Sequence, residues 1–434
     1  MKIGFLFNHD GTHQIAHTMP IAVALARRGV EVHVLTSSAS QREAAGALLP
    51  VNSTVRFIDI GPGRFAEAAD HLLKFVAPYR RVAVLKANRE LFEQFDALVV
   101  PETTTTLLRT RYGITSPKLI YVPHGAGDGA AGFQAPTRHF DLVLLSGKKV
   151  RRRMIGEGLV NLENSAVIGY PKFDSINLEH RPKLFDNDRP TVLYNPHYNP
   201  VLSSWYDHGN AVLDWFSCQQ DFNLIFAPHV MLMKRSIHTS LLYRSTRVRP
   251  PVRPKYRNMA GLLIDLGSRF STDMTYTRAA DIYLGDVSSQ IYEWCHRPRP
   301  AIFINANRTD WQRDVNYAHW RLGDVIEDLE SLPHALARAV REPDRYQAKQ
   351  RRAFRETFFL SKGRPAENAC DAILSFLGAT NYSNADQEHR ASQTPKGLSR
   401  GPDLPQREWL KATQVDSPRF PSIPASQISS ASEN

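Results

Sequence analysis

Lys2-Ile3-Gly4-Phe5-Leu6-Phe7-Asn8 is an apolar run that stops in a polar loop, His9-Asp10-Gly11-Thr12-His13. The segment that follows, Ile15 to Gly29, places apolar residues at 21, 22, 25 and 26, the spacing of one helix face, and Gly29 stands where a C-capping glycine belongs. Val30-Glu31-Val32-His33-Val34-Leu35 then alternates as a second strand. Strand, helix and strand in that order form a βαβ unit, which implies a parallel sheet with helices on its faces.

Outward from this unit the pattern repeats. Further strands are predicted near 55–60, 96–100, 118–122, 140–145 and 166–168, followed by a polar, proline-containing linker from about 177 to 190. The alternation restarts at Thr191-Val192-Leu193-Tyr194, with a helix near 209–217 and strands near 222–227, 261–265, 281–284 and 300–304. The expected fold class is therefore α/β, with two doubly wound Rossmann-like domains facing a central cleft, residues 1–180 and 181–378. Ligands of such sheets bind beyond the carboxyl ends of the strands, so the cleft is the expected site. Residues 379–434 turn to Ser, Asn, Gln, Pro and charged residues and read as a disordered tail, in which Trp409 and Leu410 mark at most a short binding segment.

Composition narrows the function classes. The 434 residues are 42% hydrophobic and 22% charged, and no apolar run reaches the length of a bilayer span. The N-terminus turns polar too soon for a signal-peptide core, and Cys218, Cys295 and Cys370 match no disulfide or zinc spacing. These features predict a cytoplasmic chain with its cysteines in the core. A net charge of +11 predicts anionic partners. Lys148-Lys149-Val150-Arg151-Arg152-Arg153 and the run Arg244 to Arg257 are candidate contacts for an anionic membrane surface, or else solvated surface. No nucleic-acid motif or interleaved aromatic pattern accompanies them, so nucleic acid is not expected as a partner. The glycine-rich dinucleotide signature is absent too, so no nicotinamide cofactor is expected.

Three strand-end loops carry the candidate chemistry. Strand 118–122 leads into Pro123-His124-Gly125-Ala126-Gly127-Asp128-Gly129, where glycines let a backbone approach a ligand closely. Strand 222–227 leads into Pro228-His229. A histidine at either place can act as a general base or, protonated, stabilise phosphate charge. Strand 281–284 leads into Asp286-Val287-Ser288-Ser289 and a helix start, which reads either as an ordinary N-cap or as an anion site. Glu293, one turn further on, is placed to accept hydrogen bonds from ribose hydroxyls. His9, His13 and His17 would need one continuous helix to share a metal, and Gly11 opposes that; His13 and His17 are assigned to the acceptor side instead. His197, His208 and His238 are left as surface or supporting residues.

These motifs together resemble the GT-B superfamily of nucleotide-dependent transferases, and within it the CDP-glycerol glycerophosphotransferases of teichoic-acid-type polymer synthesis. The resemblance rests on His124-Gly125, on His229, on Asp286-Val287-Ser288-Ser289 with Glu293, and on Gly169-Tyr170-Pro171-Lys172-Phe173-Asp174 before the linker. Departures are Ala227-Pro228-His229-Val230 where the family has Lys-x-His-Pro, Val287 for the tyrosine of the serine turn, and Tyr194-Asn195-Pro196-His197 for a Pro-Thr segment. The resemblance implies a CDP-activated donor held by Asp286, Ser288, Ser289 and Glu293, with His124 as base and His229 stabilising phosphate charge, or the reverse. Gly125, His13 and His17 are assigned to the acceptor side, with a lipid-linked or glycan acceptor. Charge stabilisation by these donors can operate without a bound metal, so no essential metal or cofactor is expected. The charge of the basic segments alone suggests a place at the inner face of the cell membrane. The layout is also similar to UDP-sugar glycosyltransferases and UDP-N-acetylglucosamine 2-epimerases. A non-catalytic nucleotide- or RNA-binding protein is the reading from another class.

Overall fold

In β1 (Lys2–Phe7), Ile3, Phe5 and Phe7 pack into one apolar cluster and Leu6 into another, so one alternating strand serves both faces of a sheet. The computed structural model describes residues 1–9, 11–63, 79–240, 242–360 and 363–379. β1 sits inside a seven-stranded sheet with β2 (Glu31–Thr36), β3 (Arg56–Asp59), β4 (Ala97–Val100), β5 (Lys118–Tyr121), β6 (Leu142–Leu145) and β7 (Ser165–Val167), in the order β3-β2-β1-β4-β5-β6-β7. Every neighbouring pair is parallel. The order reverses between β1 and β4, the kind of switch point where doubly wound sheets open a crevice.

The second half repeats this plan. β8 (Thr191–Asn195), β9 (Asn223–Phe226), β12 (Leu262–Ile264), β13 (Ile282–Gly285), β14 (Ala301–Ile304) and β15 (Asp324–Ile326) form a six-stranded sheet in the order β12-β9-β8-β13-β14-β15. Its pairs are again all parallel, and buried residues cover both faces. Val192, Tyr194, Leu224 and Phe226 pack on one side, Leu193 and Ile225 on the other. Each fully buried apolar side chain contributes about 1.5–3 kcal/mol, which is why these short strands need no amphipathic pattern. The residues between 177 and 190 carry no helix or strand.

Three features differ from the sequence reading. β10 (Ile237–Ser240) and β11 (Ser245–Val248) form a separate antiparallel hairpin, and β15 is too short to stand out as a periodic segment. The helix Pro365–Phe376, which falls within the expected second half, packs its Ala369, Cys370 and Ile373 into the core of the first sheet. Arg28 pairs with Glu367 at 2.5 Å and Asp371 at 2.5 Å, and Asp174 accepts from the Ala366 N–H at 2.8 Å, so this helix straps the halves together. Cys295 and Cys370 are buried, but Cys218 is exposed at the end of the helix Trp205–Cys218, so it is not a core residue. The expected tail lies, from residue 380 onward, outside the described residues. Among the described residues, no helix is long and apolar enough to cross a membrane.

Candidate functional site

β5 ends at Tyr121, and the chain turns outward through Pro123 to present His124. The His124 Nδ1 lies 2.8 Å from the Pro101 carbonyl oxygen. A carbonyl only accepts, so Nδ1 carries the proton of the neutral ring and Nε2 is left with its lone pair, 3.3 Å from the Gln14 amide nitrogen. Burial lowers the pKa of His124, with the Pro101 hydrogen bond opposing it. The ring is therefore a neutral base at pH 7.

Beyond β1, the short 3₁₀ helix Thr12–His17 brings two more imidazoles to the same place. The ring of His13 lies 5.8 Å from that of His124 and 6.0 Å from that of His229, and His17 lies 6.5 Å from His124. Burial pushes both rings well below the usual histidine range, aided at His13 by His229 and His124 and at His17 by Lys172. The Nδ1 atoms of His13 and His17 are buried without a hydrogen-bond partner among the described residues. Among the described residues, no group of three His, Cys, Asp or Glu side chains is arranged to hold a metal ion.

His229 faces them from the second half. Its backbone N–H donates to the Pro196 carbonyl at 2.9 Å, and its Nδ1 accepts the Met231 N–H at 3.2 Å, so the neutral ring carries its proton on Nε2. Burial, then the neighbouring His197 and His124, holds its pKa well below the ordinary value. His197, set aside in the sequence reading as a supporting residue, stacks obliquely 5.3 Å from His229 and is pushed down to about 3 by burial. His238 is buried and donates toward the Leu232 and Arg235 carbonyls, holding the loop below His229.

The serine turn is built differently from its sequence reading. Asp286 is buried, and its Oδ1 accepts the His197 and Val287 N–H groups at 2.9 and 2.7 Å. Its Oδ2 accepts the Ser204 N–H and hydroxyl at 2.6 and 2.9 Å. Burial raises its pKa to about 6. Asp286 thus ties the loop after β8 to the turn after β13, and its oxygens are committed to the protein. Glu293 is equally engaged: Lys172 Nζ reaches its two oxygens at 2.7 and 2.9 Å, and the Tyr170 hydroxyl donates at 2.9 Å. The Gly-x-x-Lys-Phe-Asp segment of the first half is thereby locked to the second. The helix Gln290–Trp294 has only five residues, so the dipole expected behind the turn is slight. Ser288 accepts the Gln290 N–H at 3.3 Å, and Ser289 is exposed.

The glycine loop and the serine turn touch. A Cβ added to Gly127 would stand 2.9 Å from the Ser289 Cβ, and one on Gly125 would stand 3.5 Å from the Ser289 Oγ. Their approach is fixed by Asp128, a residue of the glycine loop to which no motif assigns a role. Its carboxylate accepts from Lys149 at 2.9 Å and from the Tyr292 hydroxyl at 2.6 Å, and lies 3.3 Å from His319 Nδ1. Burial would raise its pKa, but His319, Lys149 and Tyr292 outweigh it and hold the carboxyl well below the usual range. Tyr292 and His319 carry no motif of their own, so only their packing reveals them, and Lys149, one of the basic run 148–153, is turned inward onto Asp128 and Tyr292 rather than outward to a membrane. The basic clusters are largely used internally: Arg153 bonds Asn316 at 2.9 Å, Arg152 pairs with Glu356 at 3.0 Å, and Arg247 and Arg253 pair with Asp207 and Asp214.

Two doubly wound sheets across such a cleft are the GT-B fold. Residues 246–375 match the sequence model of the family described as CDP-Glycerol:Poly(glycerophosphate) glycerophosphotransferase. A comparison with curated proteins gave no match. Among solved structures, the chain resembles a Listeria monocytogenes protein described as a UDP-N-acetylglucosamine 2-epimerase, at 15% identity and a TM-score of 0.58 over 88% of this chain and 98% of that one. It also resembles a variant of the wall teichoic acid polymerase TagF solved with CDPG, at 13% identity and a TM-score of 0.55 over 87% and 88% of the two chains. A third is the UDP-GlcNAc 2-epimerase from Neisseria meningitidis bound to UDP-GlcNAc, at 11% identity and a TM-score of 0.51 over 87% and 99%. The structural likenesses establish the fold, and the family match supports a transferase.

Proposed function

We propose that the chain moves a glycerophosphate-type group from a CDP-activated donor to a hydroxyl acceptor, in the synthesis of a cell-surface polymer. The observation that carries this reading is the pairing of opposite hydrogen-bond roles across the cleft: a lone pair on His124 Nε2 and a proton on His229 Nε2, with His13 within 6.0 Å of both rings. His124 takes the proton of the acceptor hydroxyl as its oxygen forms a bond to the donor phosphorus. The bond from that phosphorus to CMP breaks, and CMP leaves. His229 donates to a phosphate oxygen as charge builds there. Both rings are neutral at pH 7, and their tautomers, with the lone pair on His124 Nε2 and the proton on His229 Nε2, suit this division better than its reverse.

In this reading residues 181–378 hold the donor, with Ser288 and Ser289 on the diphosphate, and residues 1–180 hold the acceptor near Gly125, His13 and His17. Asp286 positions the turn rather than touching the donor. Glu293 reaches a ribose only with the lone pairs that Lys172 and Tyr170 leave free. The acceptor is a lipid-linked or glycan hydroxyl at the inner face of the membrane.

Calorimetric titration with CDP, UDP, GDP and ADP tests the donor. CDP binding that is lost in a Ser288→Ala, Ser289→Ala variant supports the reading. A preference for UDP moves it to sugar transfer or epimerisation, and binding without turnover moves it to a non-catalytic nucleotide-binding role.

A further inference from the structure

Behind the serine turn lies a cavity of about 630 Å³ that neither the donor nor the acceptor reading uses. Lys149, Arg321, Lys349 and Arg352 line it against the single carboxylate of Glu356, so its field favours an anion. Three of these cations, Arg321, Lys349 and Arg352, are exposed at the rim, while Lys149 lies deeper, its Nζ 3.4 Å above the ring of Tyr292. The rest of the lining is aromatic and apolar. Trp311 and Trp320 meet edge to face with centroids 5.9 Å apart, and Tyr346 stands beside Lys349.

This combination selects a class of ligand. Arg and Lys provide only donors, which suits phosphate oxygens. Indole and phenol faces suit the C–H faces of a sugar or polyol. A nucleobase would need donors and acceptors set against its edges, and one carboxylate already shared by Arg152 and Arg352 does not supply them.

The cavity also communicates with the cleft. Lys149 holds Asp128 at 2.9 Å, next to the Gly127 that packs on Ser289. Trp320 donates from Nε1 to the Asp286 carbonyl at 2.8 Å. An anion that draws Lys149 toward the cavity therefore weakens the tie that sets the glycine loop against the serine turn. We propose that this cavity is a second binding site, for a phosphorylated sugar or polyol, whose occupancy is felt in the cleft through Lys149. The ligand class follows from the lining; the effect on turnover rests on the proposed transferase reading.

The probe is sn-glycerol 3-phosphate, titrated calorimetrically into the full chain, with a short poly(glycerol phosphate) oligomer as the second arm. Lys349→Ala with Arg352→Ala is expected to weaken glycerol 3-phosphate about tenfold, the loss of roughly 1.4 kcal/mol, while CDP binding changes less than about twofold by the same measure. Tighter binding of the oligomer than of the free phosphate would assign the ligand to a polymer, the reverse to a free metabolite. Trp311→Ala, which leaves the charges in place, is expected to weaken both probes and leave inorganic sulfate unaffected. The proposal is overturned if neither probe binds saturably, if sulfate competes equally well, or if binding survives in the double variant and is lost with Ser288 and Ser289. A chain that fails to bind CDP but still binds glycerol 3-phosphate through Lys349 and Arg352 would retire the donor reading and leave this site standing.

Discussion

The direction of a single hydrogen bond decides what His124 can do. Its Nδ1 donates to Pro101, so the lone pair lies on Nε2, the atom that the proposed transfer uses as its base, and burial keeps the ring neutral. His124→Ala should lower kcat by about 10²- to 10⁴-fold, the worth of a general base, with CDP affinity nearly unchanged. The opposite pattern, weak binding with intact turnover, would reverse the division of roles with His229. Because the pKa of His124 is lowered, the acid limb of kcat/KM should fall below the ordinary value of 6.5, not above it. A pH–rate profile checks this, and loss of the acid limb in His124→Ala assigns it. Lys172 belongs to the same scale. Its ammonium is buried against Glu293, and Lys172→Ala leaves a carboxylate unpaired in the interior. Such breaks cost about 3–5 kcal/mol, so a clear fall in the denaturation midpoint is expected. An unchanged midpoint would mean that water reaches Glu293.

At the scale of elements, the close approach of the glycine loop and the serine turn is a matter of missing side chains. Gly127→Ala places a Cβ 2.9 Å from the Ser289 Cβ and 3.2 Å from its Cα, so the two loops must separate. The expected result is a drop in turnover and CDP affinity of about tenfold each, with a lower thermal midpoint as well, because the flanking Ala126 and Val287 belong to the core of the second half and shift with the loops. Equal activity in Gly127→Ala would show that the contact is not kept during turnover. This contact also marks the limit of what the sequence discloses. The strands are legible as short apolar runs that end in polar turns, such as Ile3 to Phe7 and Val192 to Tyr194, with both faces of each run buried. His124, His229 and the serine turn are legible because strand ends are where doubly wound sheets bind. Asp286 and Glu293 read as donor ligands because the Ser204 and Lys172 that engage their carboxylates lie 82 and 121 residues away, beyond the reach of any local motif. His197 was missed because its neighbours come from three separate loops. The 237–248 hairpin was missed because its outward residues Ile237 and Val248 blur the alternation.

For the whole molecule, the consequence of gathering imidazoles in one cleft is acid sensitivity. His13, His17, His124, His197 and His229 all have pKa values lowered first of all by burial. In the unfolded chain each takes up a proton as the pH falls through about 6.5, while the folded protein keeps it neutral. The unfolded state then binds more protons, so stability present above 6.5 is lost below it, at about 1.4 kcal/mol per pH unit for each ring that stays neutral. Asp286 works in the other direction. Its pKa is raised from 3.8 to about 6, so between those values the native state binds the extra proton and offsets one histidine. The balance favours the histidines, and urea denaturation of the full chain should show stability falling steeply from pH 7 to pH 5. His13→Asn with His17→Asn should flatten that slope by about two protons' worth, roughly 2.7 kcal/mol per pH unit, in the window where both rings would have stayed neutral. These are the two rings whose Nδ1 atoms are buried without partners, so their removal costs the fold no internal hydrogen bond at those atoms. A slope that is flat between pH 7 and pH 5 in the parent chain would mean that the cluster protonates in place, and a cleft holding charged imidazoles could not use His124 as its base.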